Sequence, residues 1–203
     1  MKDKQLLVTI SRTYGSGGHE IGKKLAEMLG IGFLDRDMLD HMSKESGVDA
    51  DKLRPYDEKV TNVLTSRSVQ AMNVKVTNSP EKMLAKAQSD YIRKQAMSGK
   101  SFVLIGRAGS EILKDYPYLV RFFITGNLEN RISRIMEVRK MDYYEAKKAI
   151  KRHDRSRKAY HNAYSSGKWE SPDNYELILS SSDLGVDRSA QCLYDYIKLR
   201  ELI

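Results

Sequence analysis

A chain of 203 residues has room for one large core, or one domain with a lobe inserted in it, and too little for two complete domains. With 40% apolar and 31% charged residues it is too apolar for full disorder, and no apolar run approaches the roughly 20 residues of a membrane span, so a cytoplasmic chain without a membrane partner is expected. The formal net charge of +8 suits acidic partners, and the single cysteine, Cys192, excludes an intramolecular disulfide or a cysteine metal cluster.

Gln5 to Ser11 is a short apolar, β-branched run that stops at a glycine cluster, the pattern of a buried parallel strand. Ile21, Leu25, Met28 and Leu29 then recur at helical spacing, with Gly30 where a C-terminal cap belongs. Ile31 to Leu34 reads as the second strand and carries Asp35, Arg36 and Asp37 at its carboxyl end. From 38 to 98 the chain is polar and helical in period, an expected inserted helical lobe. Ser79, Pro80 and Glu81 start a helix that runs to Met97, whereas the signals weaken from Val60 to Thr77, a candidate mobile stretch.

Ser101 to Ile105 is another buried strand and ends at Gly106 and Arg107. Leu119 to Ile124 is the next, followed by a helix from Asn127 to Val138 with Leu128, Ile132, Ile135 and Met136 on one face. Asp142 to Tyr160 is a strongly basic helix, Tyr175 to Leu179 a last strand, and a helix runs from Val186 to the C-terminus. Alternating strands and helices predict one α/β domain, a three-layer sandwich around a parallel sheet covered on both faces. Cys192 falls on the apolar face of the last helix and is expected in the core.

In such sheets ligands bind beyond the carboxyl ends of the strands, which collects Ser11 to Gly18, Asp35 to Asp37, and Gly106 with Arg107 into one crevice. Gly15, Gly17 and Gly18 stand within four residues between a strand and a helix. Glycine allows the positive φ angles that turn successive N–H groups toward one anion, and the helix dipole adds about half a positive charge. Phosphate is the expected guest. A dinucleotide Gly-x-Gly-x-x-Gly fails on register, because Glu20 stands at the third glycine. Gly17 to Lys23 matches most of the pattern Gly-x4-Gly-Lys-[Ser/Thr], but Lys24 replaces the hydroxyl, and a helix begun after Gly22 would strand Ile21 outside its apolar face.

Four blocks stand in order: Thr9-Ile10-Ser11-Arg12-x-Tyr14-Gly15-Ser16-Gly17-Gly18-x-x-Ile21-Gly22, Phe33-Leu34-Asp35-Arg36-Asp37, Ile105-Gly106-Arg107, and Arg152-His153-Asp154-Arg155-Ser156-Arg157. Over nearly the whole chain they resemble the cytidylate-kinase-like family of P-loop kinases. The resemblance implies a central parallel sheet, an acceptor lobe over 38–98, a lid over 142–170, and transfer of a phosphoryl group from ATP, with Mg2+, to a nucleoside monophosphate such as CMP or dCMP. Arg12, Gly15, Ser16, Gly17, Gly18 and His19 would then hold the donor phosphates, with Arg131 and Arg134 beside them. Asp35, Arg36, Asp37, Arg107 and Asp154 would serve the acceptor. Arg152, Arg155 and Arg157 on the lid, with Asp35, would be catalytic.

The chain departs from that pattern, since the usual loop lysine aligns with Gly18 and the magnesium-binding Ser/Thr with His19. Arg12, Lys23 or the lid arginines are candidate substitutes, arginine because its planar fork binds phosphate bidentately. The departures keep a second expectation open, a nucleotide-binding protein without catalysis that uses lid closure as a switch. A nucleic-acid module is weaker, because no such motif interrupts the strand and helix alternation. Asp37 and Asp35 also suit helix capping, Arg152 to Lys158 a solvated helix face, and Tyr160, Tyr164 and Trp169 packing under the lid. His19 reads as an exposed loop residue rather than a base, and His41, His153 and His161 lack metal-ligand spacing.

Overall fold

A computed structural model describes residues 4–40, 42, 56–57 and 79–203; the Val60 to Thr77 stretch and His41 lie outside the described residues. The strands are β1 (Leu7–Arg12), β2 (Gly32–Leu34), β3 (Phe102–Ile105), β4 (Leu119–Thr125) and β5 (Leu177–Ser180). They form one parallel five-stranded sheet in the order β2-β3-β1-β4-β5. β1 lies at the centre, with Leu7 opposite Phe102 on one side and Leu119 on the other.

The helices are α1 (Gly18–Leu29), α2 (Pro80–Met97), α3 (Gly109–Ile112), α4 (Leu128–Arg139), α5 (Tyr143–Tyr164) and α6 (Gly185–Leu199), and residues 38–40 and 42 are also helical. Strand alternation divides the core between two faces. Val8, Ile10, Val103, Ile105 and Phe122 pack against Ile21 and Leu25 of α1 and Leu193 and Ile197 of α6. Leu7, Phe102 and Leu104 point the other way, onto Met38, Leu39, Leu84, Ile92 and Leu113. Each such side chain, removed from water, contributes about 1.5–3 kcal/mol.

Boundaries moved where packing or a turn overrode periodicity. α5 runs one turn past Tyr160, because Tyr164 packs on it (ring centroids 4.7 Å apart) in a cluster with Ala85 and Ala108. The last strand begins at Leu177 rather than Tyr175, since a 3-10 turn at Pro172–Asn174 precedes it. Trp169 packs against Phe123 of β4 and Tyr175, not with the lid tyrosines. Cys192 is only half-buried. Among the described residues no helix is long and apolar enough to cross a membrane.

Candidate active site

β1 ends at Arg12, and the chain must turn sharply to enter α1. Gly15 (φ 84°) and Gly17 (φ 74°) supply the left-handed conformations of that turn. The Ser16 hydroxyl donates to the Thr13 carbonyl (2.9 Å), and the Ser181 hydroxyl to the Ser16 carbonyl (2.6 Å). α2, α4 and α5 are capped by Ser79, Asn127 and Asp142, but no side chain caps α1 at Gly17. The Gly18 N–H reaches the Ser16 hydroxyl at 3.4 Å, and the rest of this first turn, at the mouth of the cleft, suits an anion.

α1 begins at Gly18, so the apparent match from Gly17 to Lys23 is not a phosphate loop. Gly22 is a packing glycine, where a Cβ would stand 2.5 Å from Cδ1 of Ile105. Lys23 is exposed outside the cleft, and Lys24 pairs with Asp187 of α6. The position of the usual loop lysine is closed sterically, since a Cβ on Gly18 would lie 2.7 Å from Cβ of Arg12. Arg12, largely buried, occupies that space and lines the cleft.

The cleft is about 650 Å³, and seven arginines line it against three carboxylates, Glu20, Asp35 and Asp57. That balance suits a polyanion. Arg134 lies over the loop; a Cβ on Gly17 would be 3.3 Å from its Cζ, and its guanidinium pairs with Glu20 at 3.0 Å. Arg36 and Arg139 lie on the rim, and Arg152 and Arg157 reach the cleft from α5.

α5 is docked on the loop. Asp154 accepts the Tyr14 N–H at 2.6 Å and pairs with Arg131, whose Nε donates to the Tyr14 carbonyl at 2.8 Å. The Tyr14 ring stacks on His153, with Arg157 over it at 5.5 Å, and Arg157 donates to the Arg12 carbonyl at 3.3 Å. Asp154 is thus placed as a clamp on the Tyr14 peptide that leads into the glycine turn, and Arg131 holds the same peptide. Arg155 is exposed and does not line the cleft. Helical spacing is the reason, since Arg152 and Arg157 share the inner face with Ser156 while Arg155 turns outward.

At the end of β2, one Asp35 oxygen meets Nε2 of His19 at 2.5 Å and the other accepts the Asp37 N–H at 2.9 Å. Asp35, not Asp37, therefore fixes this turn, and Asp37 is exposed outside the cleft. Burial opposes ionisation of Asp35, but the His19 hydrogen bond, the Asp37 amide, and the charges of His19 and Arg107 together hold its carboxyl below the ordinary range. At the end of β3, Gly106, Arg107 and Ala108 are successively left-handed (φ 73°, 60° and 50°). Two of them are not glycine, each at a cost on the order of 1–3 kcal/mol, which packing must offset. The turn buries Arg107 in an ion pair with Asp57 (2.7 Å), which also accepts from Gln88 at 3.0 Å. Sequence reasoning missed Asp57 and Gln88, because both fall in the polar 38–98 stretch, where nothing local marks a buried carboxylate.

A second cavity of about 130 Å³ flanks the loop between Ser16, Asn130, Arg134, Ser181 and Ser182. It too went unread in the sequence, since the Ser181 and Ser182 turn carries no motif. Among the described residues no group of three or more His, Cys, Asp or Glu could hold a metal ion. His19, at the position of the magnesium-binding hydroxyl, is already engaged by Asp35.

No curated protein matches the sequence. Among solved structures, an uncharacterized protein from Eubacterium ventriosum is 29% identical, with a TM-score of 0.74 over 96% of this chain and 99% of that one. A shikimate kinase from Acinetobacter baumannii in complex with shikimate is 14% identical, with a TM-score of 0.55 over 99% and 97%. A gluconokinase from Sinorhizobium meliloti is 11% identical, with a TM-score of 0.51 over 98% and 99%. The last two show a shared fold, that of the P-loop kinases. The model of the cytidylate kinase-like family matches residues 7–183, and the chain belongs to that family.

Proposed function

We propose that the protein transfers the γ-phosphoryl group of ATP to a small acceptor. The observation that carries this reading is the uncapped Gly15 to Gly18 loop opening into a cleft that also receives Arg12, Arg134, Arg152 and Arg157 from three further elements. Phosphoryl transfer is catalysed by positioning and by neutralising charge on the moving group, and those arginines supply both. The donor phosphates rest on the loop, with Arg12 as the cation in place of the missing lysine. The 130 Å³ cavity beside Ser181 and Ser182 adjoins the loop and would receive the donor's nucleoside end. Magnesium comes with the ATP phosphates.

The acceptor lies on the side of Asp35, Arg36 and Arg107. By likeness to the family it would be CMP or dCMP, and the protein would then partner ATP and a phosphorylated small molecule. A coupled ADP-release screen over nucleoside monophosphates, nucleosides and small hydroxyl compounds tests the reaction. ADP above the ATPase background with one acceptor is expected, and none with any acceptor, although ATP binds, would sink the reading.

The second reading is nucleotide binding without catalysis, and the Gly18 and His19 replacements favour it. A lid-closure switch agrees less well with α5 already seated on Tyr14 through Asp154 and His153. Calorimetry with a non-hydrolysable ATP analogue separates the two readings when combined with the screen.

A further inference from the structure

The left-handed turn through Gly106, Arg107 and Ala108 sets the Arg107 side chain on the wall of the cleft. Strain at residues other than glycine persists only where the surrounding structure over-determines it, and it gathers at ligand clamps. Although Arg107 lines the cleft, its side chain is only 1% exposed, with the Asp57 carboxylate set against it. One Asp57 oxygen lies 2.7 Å from Nη2 of Arg107, and the other accepts from the Gln88 amide at 3.0 Å. Gln88 belongs to α2 and is itself buried, so the carboxylate is held in place from two sides.

Two of the cleft's carboxylates thus sit on arginines, Glu20 on Arg134 and Asp57 on Arg107. The first pair is a third to a half exposed, and water screens it. The second is buried, where opposite charges attract strongly, so Asp57 is the effective rival of any anion that approaches Arg107. A purely structural reading would make this pair a fastener for the turn. Buried ion pairs are poor fasteners, since apolar side chains of similar volume hold a structure as well or better, and both members of this one line the cleft. A carboxylate on a guanidinium also has the planar two-oxygen form in which arginine binds phosphate.

We infer that Asp57 is an internal stand-in for the acceptor's phosphate: it keeps Arg107 charge-paired when no acceptor is bound and yields the guanidinium to a phosphate group that enters the cleft. The inference rests on the phosphoryl-transfer reading above and deepens it by naming what the acceptor must carry. A phosphate monoester brings a charge of about −1.5 to −2 and three strong acceptor oxygens, against the single charge of Asp57. It therefore wins the exchange, whereas chloride or an acceptor with a lone carboxylate gains little by it. Exchange of one counterion for another also means that the buried Arg107 never stands uncompensated. The acceptor's apparent affinity is reduced in return, by the fraction of time that Asp57 is off the arginine.

The test uses the full chain and calorimetry at constant ionic strength, with a non-hydrolysable ATP analogue present to fill the glycine loop. The probes are inorganic phosphate, CMP and cytidine. Asp57→Asn removes the rival charge and should tighten phosphate and CMP by about 10- to 100-fold, the factor expected when the competent state is populated at about 1–10%. Cytidine should change by less than about twofold, because it has no anion to exchange. Asp57→Glu keeps a carboxylate and should stay near wild type, and the gain should vanish when Arg107→Met is added to Asp57→Asn. Phosphate affinity that is unchanged or weaker in Asp57→Asn overturns the inference, as does a gain that survives Arg107→Met. Gln88→Leu keeps both charges but frees the carboxylate, and serves if Asp57→Asn does not fold. Phosphate should bind a few-fold tighter to it, and no change overturns the inference. None of these readouts needs turnover. Tighter phosphate binding in a protein that releases no ADP with any acceptor would uphold the role of Asp57 and sink the kinase reading; turnover without the tightening would do the reverse.

Discussion

Gly18 packs so closely on Arg12 that a Cβ there would stand 2.7 Å from the Arg12 Cβ. Restoring a lysine by Gly18→Lys should therefore lower the melting temperature and activity rather than raise them. Arg12→Ala removes the cation and should lower kcat/KM by about 10²–10³, the scale of one electrostatic stabiliser. A double variant that pairs Gly18→Lys with Arg12→Gly, which removes the clashing Cβ as well as the cation, has both the space and the charge and should be more active than Arg12→Ala alone. A double variant no better than Arg12→Ala would show that Arg12 does not stand in for the lysine.

Gly17 combines a φ of 74° with Arg134 3.3 Å from where its Cβ would be. Gly17→Val strains the backbone and pushes Arg134 off the loop. ATP affinity should fall at least about tenfold, or about 1.4 kcal/mol. Calorimetry on folded variant protein decides, and unchanged affinity would remove the loop from the site.

The lid arginines should divide by face. Arg157 lines the cleft and contacts Tyr14 and the Arg12 carbonyl, whereas Arg155 is exposed. Arg157→Ala should lower kcat by a factor on the order of 10³ if it acts on the transferred group as an arginine finger does. Arg155→Ala should stay within about twofold, as for an exposed side chain away from the site. Equal losses would mean that α5 turns in the working enzyme.

Arg107 and Asp57 form a buried pair, with side-chain exposures of 1% and 9%. Removing one partner leaves the other charge uncompensated, so Arg107→Ala should cost about 3–5 kcal/mol of stability, read by urea denaturation. Replacing both by apolar residues of similar volume should cost less than either single change. A single variant of wild-type stability would show that the pair is not buried in solution.

His161, in the last turn of α5, is buried with no hydrogen bond on Nε2, and burial pushes its imidazole below the ordinary value of 6.5. A lowered folded pKa means that the unfolded chain binds the proton first, so this contribution to stability is present above about pH 6.5 and is lost below it. The melting temperature should fall on acidification from pH 7 to 5.5, and His161→Phe should flatten that fall. An equal slope in the variant would assign the loss to other groups.

Much of the fold was legible in the sequence because β1, β3 and β4 are largely buried and read as short, mostly apolar runs, while α1 and α6 show one apolar stripe each. The sharp turn between β1 and α1 was legible too, since Gly15 and Gly17 serve a local need for positive φ. These are short-range requirements, written in neighbouring residues. Only the tertiary structure decided which charged side chain meets which. Asp154 reaches Tyr14 across 140 residues and Asp57 reaches Arg107 across 50, so no local pattern could have placed Asp154 on Tyr14 or revealed Asp57. Nor could spacing show that Gly18 excludes a lysine, because Arg12, the residue that fills that space, is brought there by the turn itself. His19 and Asp35 stand on different elements, and β2 beside β3 carries the carboxylate to the mouth of α1, where an exposed loop histidine becomes an oriented one.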